Sequence, residues 1–216
     1  MTLEQTADFL RAHDSYLILT HLRPDGDTIG CAAGLCRALR QLGRTAFVLP
    51  NAETTSLFSP YLEGLLARGL FPKNALPYLE RVDLAIDHHP SQEFFARETC
   101  LDAGRAACGE LVYDIVRLLG PVTAEIAIPL YVAVSTDCGC FAYGNTTAAT
   151  HRTAAALIET GIPLSQLNKR HFRTKTWKRL RIESLIVASM ELHDGGQTAL
   201  AAVTLAMREQ GGADER

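Results

Sequence analysis

The stretch from Tyr16 to Leu49 constrains the fold most. Tyr16-Leu17-Ile18-Leu19-Thr20 is a short continuous apolar run, the mark of a strand buried on both faces. A polar loop, His21 to Asp27, follows it. Ile29, Ala32, Ala33, Cys36 and Leu39 then recur at helical spacing, and Gly43 stands where that helix should end. Thr45 to Leu49 reads as a second strand. Strand, helix and strand in this order make a β-α-β unit, so the expected class is α/β, a parallel sheet flanked by helices.

The rest of the chain continues in kind. Thr6 to His13 reads as a short helix, and Val82 to Ile86 as a strand ending in Asp87-His88-His89. Gly109 to Leu119 is an amphipathic helix. Thr123 to Thr136 is a long buried helix that contains Pro129, with a strand over Tyr131 to Ser135 as the alternative. Thr147 to Glu159 is a further helix, Leu180 to Leu192 a connecting one, and Gln197 to Leu205 a strand. Pro50 to Arg81 reads as a polar loop with a short helix around Tyr61 to Ala67. At 216 residues and 47% hydrophobic, the chain can bury a core without metal or disulfide staples.

Composition also limits the function classes. A net charge of -3 gives no global positive field for nucleic acid, so any basic patch must be local. The six cysteines form no C-x-x-C pair, and most sit among Ala, Gly and Leu as small apolar fillers. This suggests a reducing, cytoplasmic setting. The N-terminus lacks the basic start and apolar run of a signal peptide. Ile126 to Val134, the longest apolar stretch, is too short to span a bilayer. No membrane partner is expected.

In an open α/β sheet, ligands bind beyond the carboxyl ends of the strands. His21, Asp25 and Asp27 follow the first strand, and Asp87, His88 and His89 follow a later one, so these groups converge on one edge. Pro24 and Gly26 force the first loop into a tight path on which its imidazole and two carboxylates can meet, a donor set suited to a divalent ion such as Mn²⁺. The bland alternative is a strand-to-helix loop in which Asp27 or Thr28 caps the helix. Adjacent His88 and His89 point opposite ways along a strand, so one can bind metal while the other faces substrate once Pro90 turns the chain. Asp137 ends an apolar run and is either a cap or a ligand. Asn145 either hydrogen-bonds a phosphate or caps the next helix. The segment Asn168 to Arg181 carries seven Lys and Arg with Phe172 and Trp177 interleaved; it is either a phosphate- and base-binding surface, through Arg173, Lys175 and Lys178, or a solvated helix face. No Walker A motif, nucleophile elbow or dinucleotide fingerprint is present.

Taken together, H-L-R-P-D-G-D-T-I-G, I-D-H-H-P and S-T-D-C-G-C-F with G-N-T-T resemble the motifs of the DHH phosphoesterases. The resemblance is to the branch of short-oligoribonucleotide hydrolases and pAp phosphatases, relatives of the RecJ exonuclease. It implies an α/β domain with two Mn²⁺ ions, one on His21 and Asp25 and the other on Asp27, His88 and Asp137. It also implies His89 on the scissile phosphate, Asp87 supporting the site, and hydrolysis by metal-activated water. The implied domains are a catalytic domain over 1–172, a connecting helix over 173–192, and the start of a substrate-binding lobe over 193–216.

Two departures bear on this expectation. The family pattern has a strand before the DHH motif that ends in an Asp bridging the two metals; here Glu53, Glu63 and Glu80 are the acids available, and none follows an apolar strand. One metal site is then expected to weaken. The pattern also has a full second lobe, and here only its first strand is expected, so the lobe is either truncated or supplied by another chain, a homodimer being one such arrangement. A phosphoesterase acting on short RNA or pAp is therefore expected, and a catalytically impaired nucleotide- or metal-binding domain is the alternative.

Overall fold

A computed structural model describes residues 1–69 and 81–212 of the chain. The stretch Leu70-Phe71-Pro72-Lys73-Asn74 and Glu80 lie outside the described residues. Two compact units are present, Met1–His171 and Phe172–Arg216.

The first unit opens with α1 (Leu3–Ala12), started by a reciprocal capping box between Thr2 and Gln5. β1 (Tyr16–Ile18) pairs in parallel with β2 (Ala46–Val48), with Leu17 opposite Phe47. Between them runs α2 (Gly26–Gln41), which ends at Leu42 ahead of Gly43 in the left-handed region at φ +77°. After β2 the chain makes a 3-10 turn, Ser59–Leu62, where a short helix over Tyr61 to Ala67 is expected. Pro60 and Gly64 limit this segment to one tight turn, and Leu66 then meets Val48 in a single parallel bridge.

β3 (Leu84–Asp87) pairs in parallel with β4 (Glu98–Leu101), placing Asp87 opposite Leu101. α3 (Cys108–Leu119) follows, then α4 (Ala124–Asp137), α5 (Ala148–Glu159) and the short α6 (Leu164–Asn168). Both strand pairs are parallel and the helices outweigh them, an α/β arrangement of small parallel sheets. α4 is a helix through to Asp137, so the strand alternative for Tyr131 to Ser135 falls away. Pro129 sits in its second turn, and the helix continues because Leu130, Tyr131, Val132, Ala133 and Val134 are all buried.

One close approach organises the unit. Gly26, Gly30 and Gly34 recur every fourth residue of α2, on one face, and that face lies against α4. A Cβ added at Gly26 would stand 2.2 Å from Thr136 Oγ1, and one at Gly30 2.3 Å from the Pro129 carbonyl oxygen. A Cβ at Gly34 would stand 2.7 Å from Leu130. The facing side chains, Thr136 at Gly26, Ala133 at Gly30 and Leu130 at Gly34, run backwards along α4 as α2 runs forwards, so the helices are antiparallel. The start of α2 therefore meets the end of α4.

The second unit contains α7 (Trp177–Ala188), an antiparallel pair of β5 (Glu191–His193) and β6 (Thr198–Leu200), and α8 (Leu205–Gly211). α7 ends four residues before the expected boundary at Leu192, because β5 begins at Glu191. Within the unit, buried Gly211 packs against Ile182.

The Gly30 contact yields a prediction. Gly30→Ala should lower stability by about 1–3 kcal/mol, seen as a fall in Tm of at least about 2 °C. Gly144→Ala, where a Cβ meets nothing within 4 Å, is the neutral control. If both variants melt with the parent chain, the close helix approach is wrong.

Candidate metal centre

The site is assembled from four chain segments. Asp25 is the N-cap of α2, its Oδ1 accepting from the Thr28 amide at 3.0 Å. The cap expected at Asp27 or Thr28 thus falls on Asp25, because the helix begins earlier, at Gly26. That frees Asp27, in the first turn, for another task.

Asp27 caps a different helix. Ala107, the N-cap residue of α3, has no side chain able to do so. Asp27 reaches over from α2 instead: Oδ2 accepts from Cys108 N at 2.8 Å and Oδ1 from Gly109 N at 2.9 Å. The buried Asp27 carboxylate therefore lies at the positive ends of two helices. Cys31 Sγ also donates to Oδ1 at 3.4 Å. Burial nevertheless pushes the Asp27 carboxyl up to about 6, the negative charge of Asp137 adding to it and the two amides opposing it.

Asp137 ends α4. A carboxylate caps the start of a helix, not its end, where the dipole is unfavourable to it. Burial is the first cause that raises its carboxyl above the usual range, and the charge of Asp25 adds to it. The chain then turns through Gly139, Cys140 and Phe141, all in the left-handed region at φ +55°, +55° and +67°. Such conformations are costly for Cys and Phe. Stacking of Phe141 on His151, at 5.2 Å between ring centres, holds the turn in place.

His88 enters from the end of β3 with its side chain only 11% exposed. Its Nδ1 is 3.1 Å from the Arg105 carbonyl oxygen. A carbonyl can only accept, so Nδ1 carries a hydrogen, and in the neutral ring Nε2 presents its lone pair. Nε2 stands 3.4 Å from Asp137 Oδ2 and 3.6 Å from Asp27 Oδ2. Among the described residues this buried nitrogen has no hydrogen-bond partner. A lone pair facing two carboxylates is repulsive unless something positive lies between them. Asp27, His88 and Asp137 offer ligand atoms all within 4.8 Å of one another, and one imidazole nitrogen with two carboxylate oxygens suits a borderline-to-hard divalent ion. The residues fit such a cation.

His21 and Asp25 form a separate, more open pair, with Nε2 to Oδ1 at 3.4 Å. Hydrogen bonding to Asp25 raises the His21 imidazole, and Asp27 and Asp87 add to it. Burial pushes the Asp25 carboxyl up, but the His21 contact and the Thr28 amide outweigh it and hold it low. Asp87 gathers the DHH turn: Oδ1 accepts from His88 N at 2.8 Å and His89 N at 3.0 Å and lies 2.7 Å from His89 Nδ1. Its Oδ2 accepts from Gln92 Nε2 at 2.6 Å. His89 is exposed and is held at Nδ1, leaving Nε2 as its other ring nitrogen.

Asn145 gives both amide hydrogens to backbone, at Ala106 O (3.1 Å) and Asp137 O (3.2 Å). The basic segment is divided. Arg170, in the first unit, donates to the Ser56 and Leu57 carbonyls and lies over the Tyr61 ring, while Tyr61 Oη meets His171 Nε2 at 2.7 Å. Arg173, Lys175 and Lys178 belong to the second unit, where Glu183 pairs with Lys175 (2.6 Å) and Arg179 (3.0 Å). Arg105 and the α3 amides gave no sequence signal, because their roles depend on contacts far apart in the chain.

No family model matches the chain. The chain is 33% identical to the bifunctional oligoribonuclease and PAP phosphatase NrnA of Thermus thermophilus, over 97% of its own length and 68% of the relative's. It is 24% identical to the protein of the same description from Bacillus subtilis, over 87% of its length and 66% of that relative's. The chain thus spans about two thirds of these relatives. The Thermus alignment runs over 227 residues, more than the 216 of this chain, so the relative holds segments with no counterpart here. A crystal structure of an exopolyphosphatase-related protein from Bacteroides fragilis shares the fold at a TM-score of 0.84, with 21% identity over 99% of this chain and 72% of that one. Sequence and fold agree, and the chain belongs to the DHH-family phosphoesterases, in the branch of the oligoribonuclease and PAP phosphatase NrnA.

Proposed function

We propose that the chain hydrolyses phosphoester bonds of short oligoribonucleotides and of pAp, with Mn²⁺ held by Asp27, His88 and Asp137. The observation that carries this reading is His88 Nε2, a buried lone pair aimed at two carboxylates. The substrate class follows from the relatives' printed activities, oligoribonuclease and PAP phosphatase. A divalent cation on these ligands would supply a polarised water and offset the charge developing on the phosphoryl oxygens.

The chain's own groups have distinct parts in this reading. Asp27 and Asp137 bring negative charge that a cation must balance. The Arg105 carbonyl keeps the His88 proton on Nδ1, so that Nε2 stays free to ligate. Asp87 fixes His89 through Nδ1 and leaves Nε2 for a phosphate oxygen. His21 and Asp25 would take a second ion at the open side. The six free thiols suit a reducing compartment such as the cytoplasm.

A second reading, nucleotide or metal binding with impaired turnover, has one observation in its favour. The chain leaves the Leu66 bridge beside β2 as Ala67-Arg68-Gly69, without an acid, where the family's bridging Asp would be sought. The two readings separate on turnover. The first expects Mn²⁺-dependent release of mononucleotide from a short RNA, and of phosphate from pAp. It expects His88→Ala and Asp27→Asn to lose at least about 100-fold while remaining folded. Mn²⁺ binding without turnover in the parent chain gives the second reading.

The Asp27 carboxyl adds a pH prediction. Its folded value, about 6, lies above the ordinary 3.8. The bound proton therefore stabilises the metal-free fold at low pH, and that contribution is lost as pH rises through about 6. A cation competes with this proton. Mn²⁺ affinity should rise about tenfold per pH unit below about pH 6 and flatten above it, by calorimetric titration. A flat profile across that range contradicts the placement of Asp27 in the site.

Arg173, Lys175 and Lys178 are assigned to the nucleotide's phosphates. Replacing Lys175, Lys178 and Arg179 by Ala together should weaken oligonucleotide binding. It should also shrink the log–log salt slope by about 0.7 for each lost phosphate contact. An unchanged slope returns this segment to a solvated helix face.

A further inference from the structure

The loop between β4 and α3, residues 102–107, touches His88 directly and is linked to Asp137 and Asp27 through its neighbours. The Arg105 carbonyl accepts from His88 Nδ1. The Ala106 carbonyl accepts from Asn145, whose other amide hydrogen goes to the Asp137 carbonyl. The amides of Cys108 and Gly109, immediately after the loop, hold Asp27. Moving this loop would turn His88 directly and disturb the neighbours that adjoin Asp137 and hold Asp27.

A loop of this kind is held by whatever anchors it, and here the anchor is the Arg105 side chain. Its guanidinium meets three carboxylates: Asp102 Oδ2 with Nε at 3.0 Å, Asp114 Oδ2 with Nη2 at 2.9 Å, and Glu110 Oε2 with Nη1 at 3.5 Å. Asp102 lies in the loop itself, and its Oδ1 accepts from Gly104 N at 3.0 Å. Asp114 and Glu110 lie on α3, one turn apart. The guanidinium thus ties the loop to the helix that follows it, using its planar fork on three sides. Glu110 is 0% exposed, and its other oxygen accepts from Thr150 Oγ1 of α5 at 2.7 Å. Among the described residues Glu110 Oε2 has no hydrogen-bond partner, so Arg105 is the cation that offsets this buried charge.

We propose that Arg105 is a positioning residue for the metal centre: its guanidinium, clamped by Asp102, Glu110 and Asp114, fixes its own carbonyl on His88 and so aims Nε2 at the ion. This rests on the metal-centre reading above. The arginine never touches the ion or the substrate. Its side chain sets the loop, and its backbone oxygen sets the His88 tautomer. Carbonyl partners of this kind typically change metal affinity by 10–100-fold when disturbed.

The test uses the full chain. Arg105→Ala alone leaves Glu110 buried without its cation and risks the fold. The double variant Arg105→Ala, Glu110→Gln removes that charge and retains the Thr150 bond. Arg105→Lys keeps the charge but loses the fork. Two readouts are followed: Mn²⁺ affinity by calorimetry, and the His88 ring-nitrogen signals by NMR in the metal-free chain, assigned with His88→Ala. The expected result is a folded double variant with Mn²⁺ affinity down about 10–100-fold and the His88 hydrogen no longer confined to Nδ1. Arg105→Lys should fall between this variant and the parent. Parent-like affinity and His88 signals in the folded double variant overturn the proposal while leaving the metal centre standing. A parent chain that binds no Mn²⁺ overturns the metal-centre reading and this proposal with it. A double variant that does not fold passes the decision to Arg105→Lys, where parent-like values in both readouts overturn the proposal.

Discussion

The antiparallel contact between α2 and α4 is the constraint on which the site depends. Gly26 lies against Thr136 without room for a Cβ, and the residues next in sequence are Asp27 and Asp137. Two carboxylates are brought together because two helix backbones approach where side chains are smallest. Burial pushes the Asp27 carboxyl up to about 6, and the like charge of Asp137 adds to it. The neutral His88 ring, with its hydrogen on Nδ1, brings the Nε2 lone pair to the same point. A cation is the simplest group that satisfies all three.

The helix termini distribute that cost unevenly. Asp27 sits in the first turn of its own helix and caps α3, so α3 offers it two amide hydrogens and both helices their positive dipole ends. Asp137 has the opposite placement, at the end of α4, followed by a left-handed turn. One carboxylate is thus preorganised by the protein, and the other is left without such support, open to a cation. The network around Arg105 explains how the remaining ligand keeps its tautomer, since a loop without regular structure holds its carbonyl in place only if it is anchored.

Much of this was legible in the sequence. Apolar runs marked β1, β2 and β3, helical spacing marked α2 and an amphipathic pattern α3, because burial writes its period directly into the residues, while the buried α4 carried no such period and left a strand open over Tyr131 to Ser135. The candidate ligands stood out because polar groups gathered at strand ends. β4 was not legible: Glu98-Thr99-Cys100-Leu101 is short and opens on an acid, and only pairing with β3 makes it a strand. The capping of α3 by Asp27 was hidden because donor and acceptor are 81 and 82 residues apart. Asp25, not Asp27 or Thr28, caps α2, since the tight Pro24-Asp25-Gly26 turn starts the helix early. Arg105 carried no motif at all, and its part emerges only from the carboxylates around it.

The account stands or falls on where the ion sits. Crystals of the parent chain soaked in Mn²⁺, with anomalous diffraction collected at the manganese edge, address this directly. The account predicts an anomalous peak bonded to His88 Nε2 and to one oxygen each of Asp27 and Asp137. Full occupancy elsewhere, with this triad empty and His88 Nε2 still unpartnered, would contradict it.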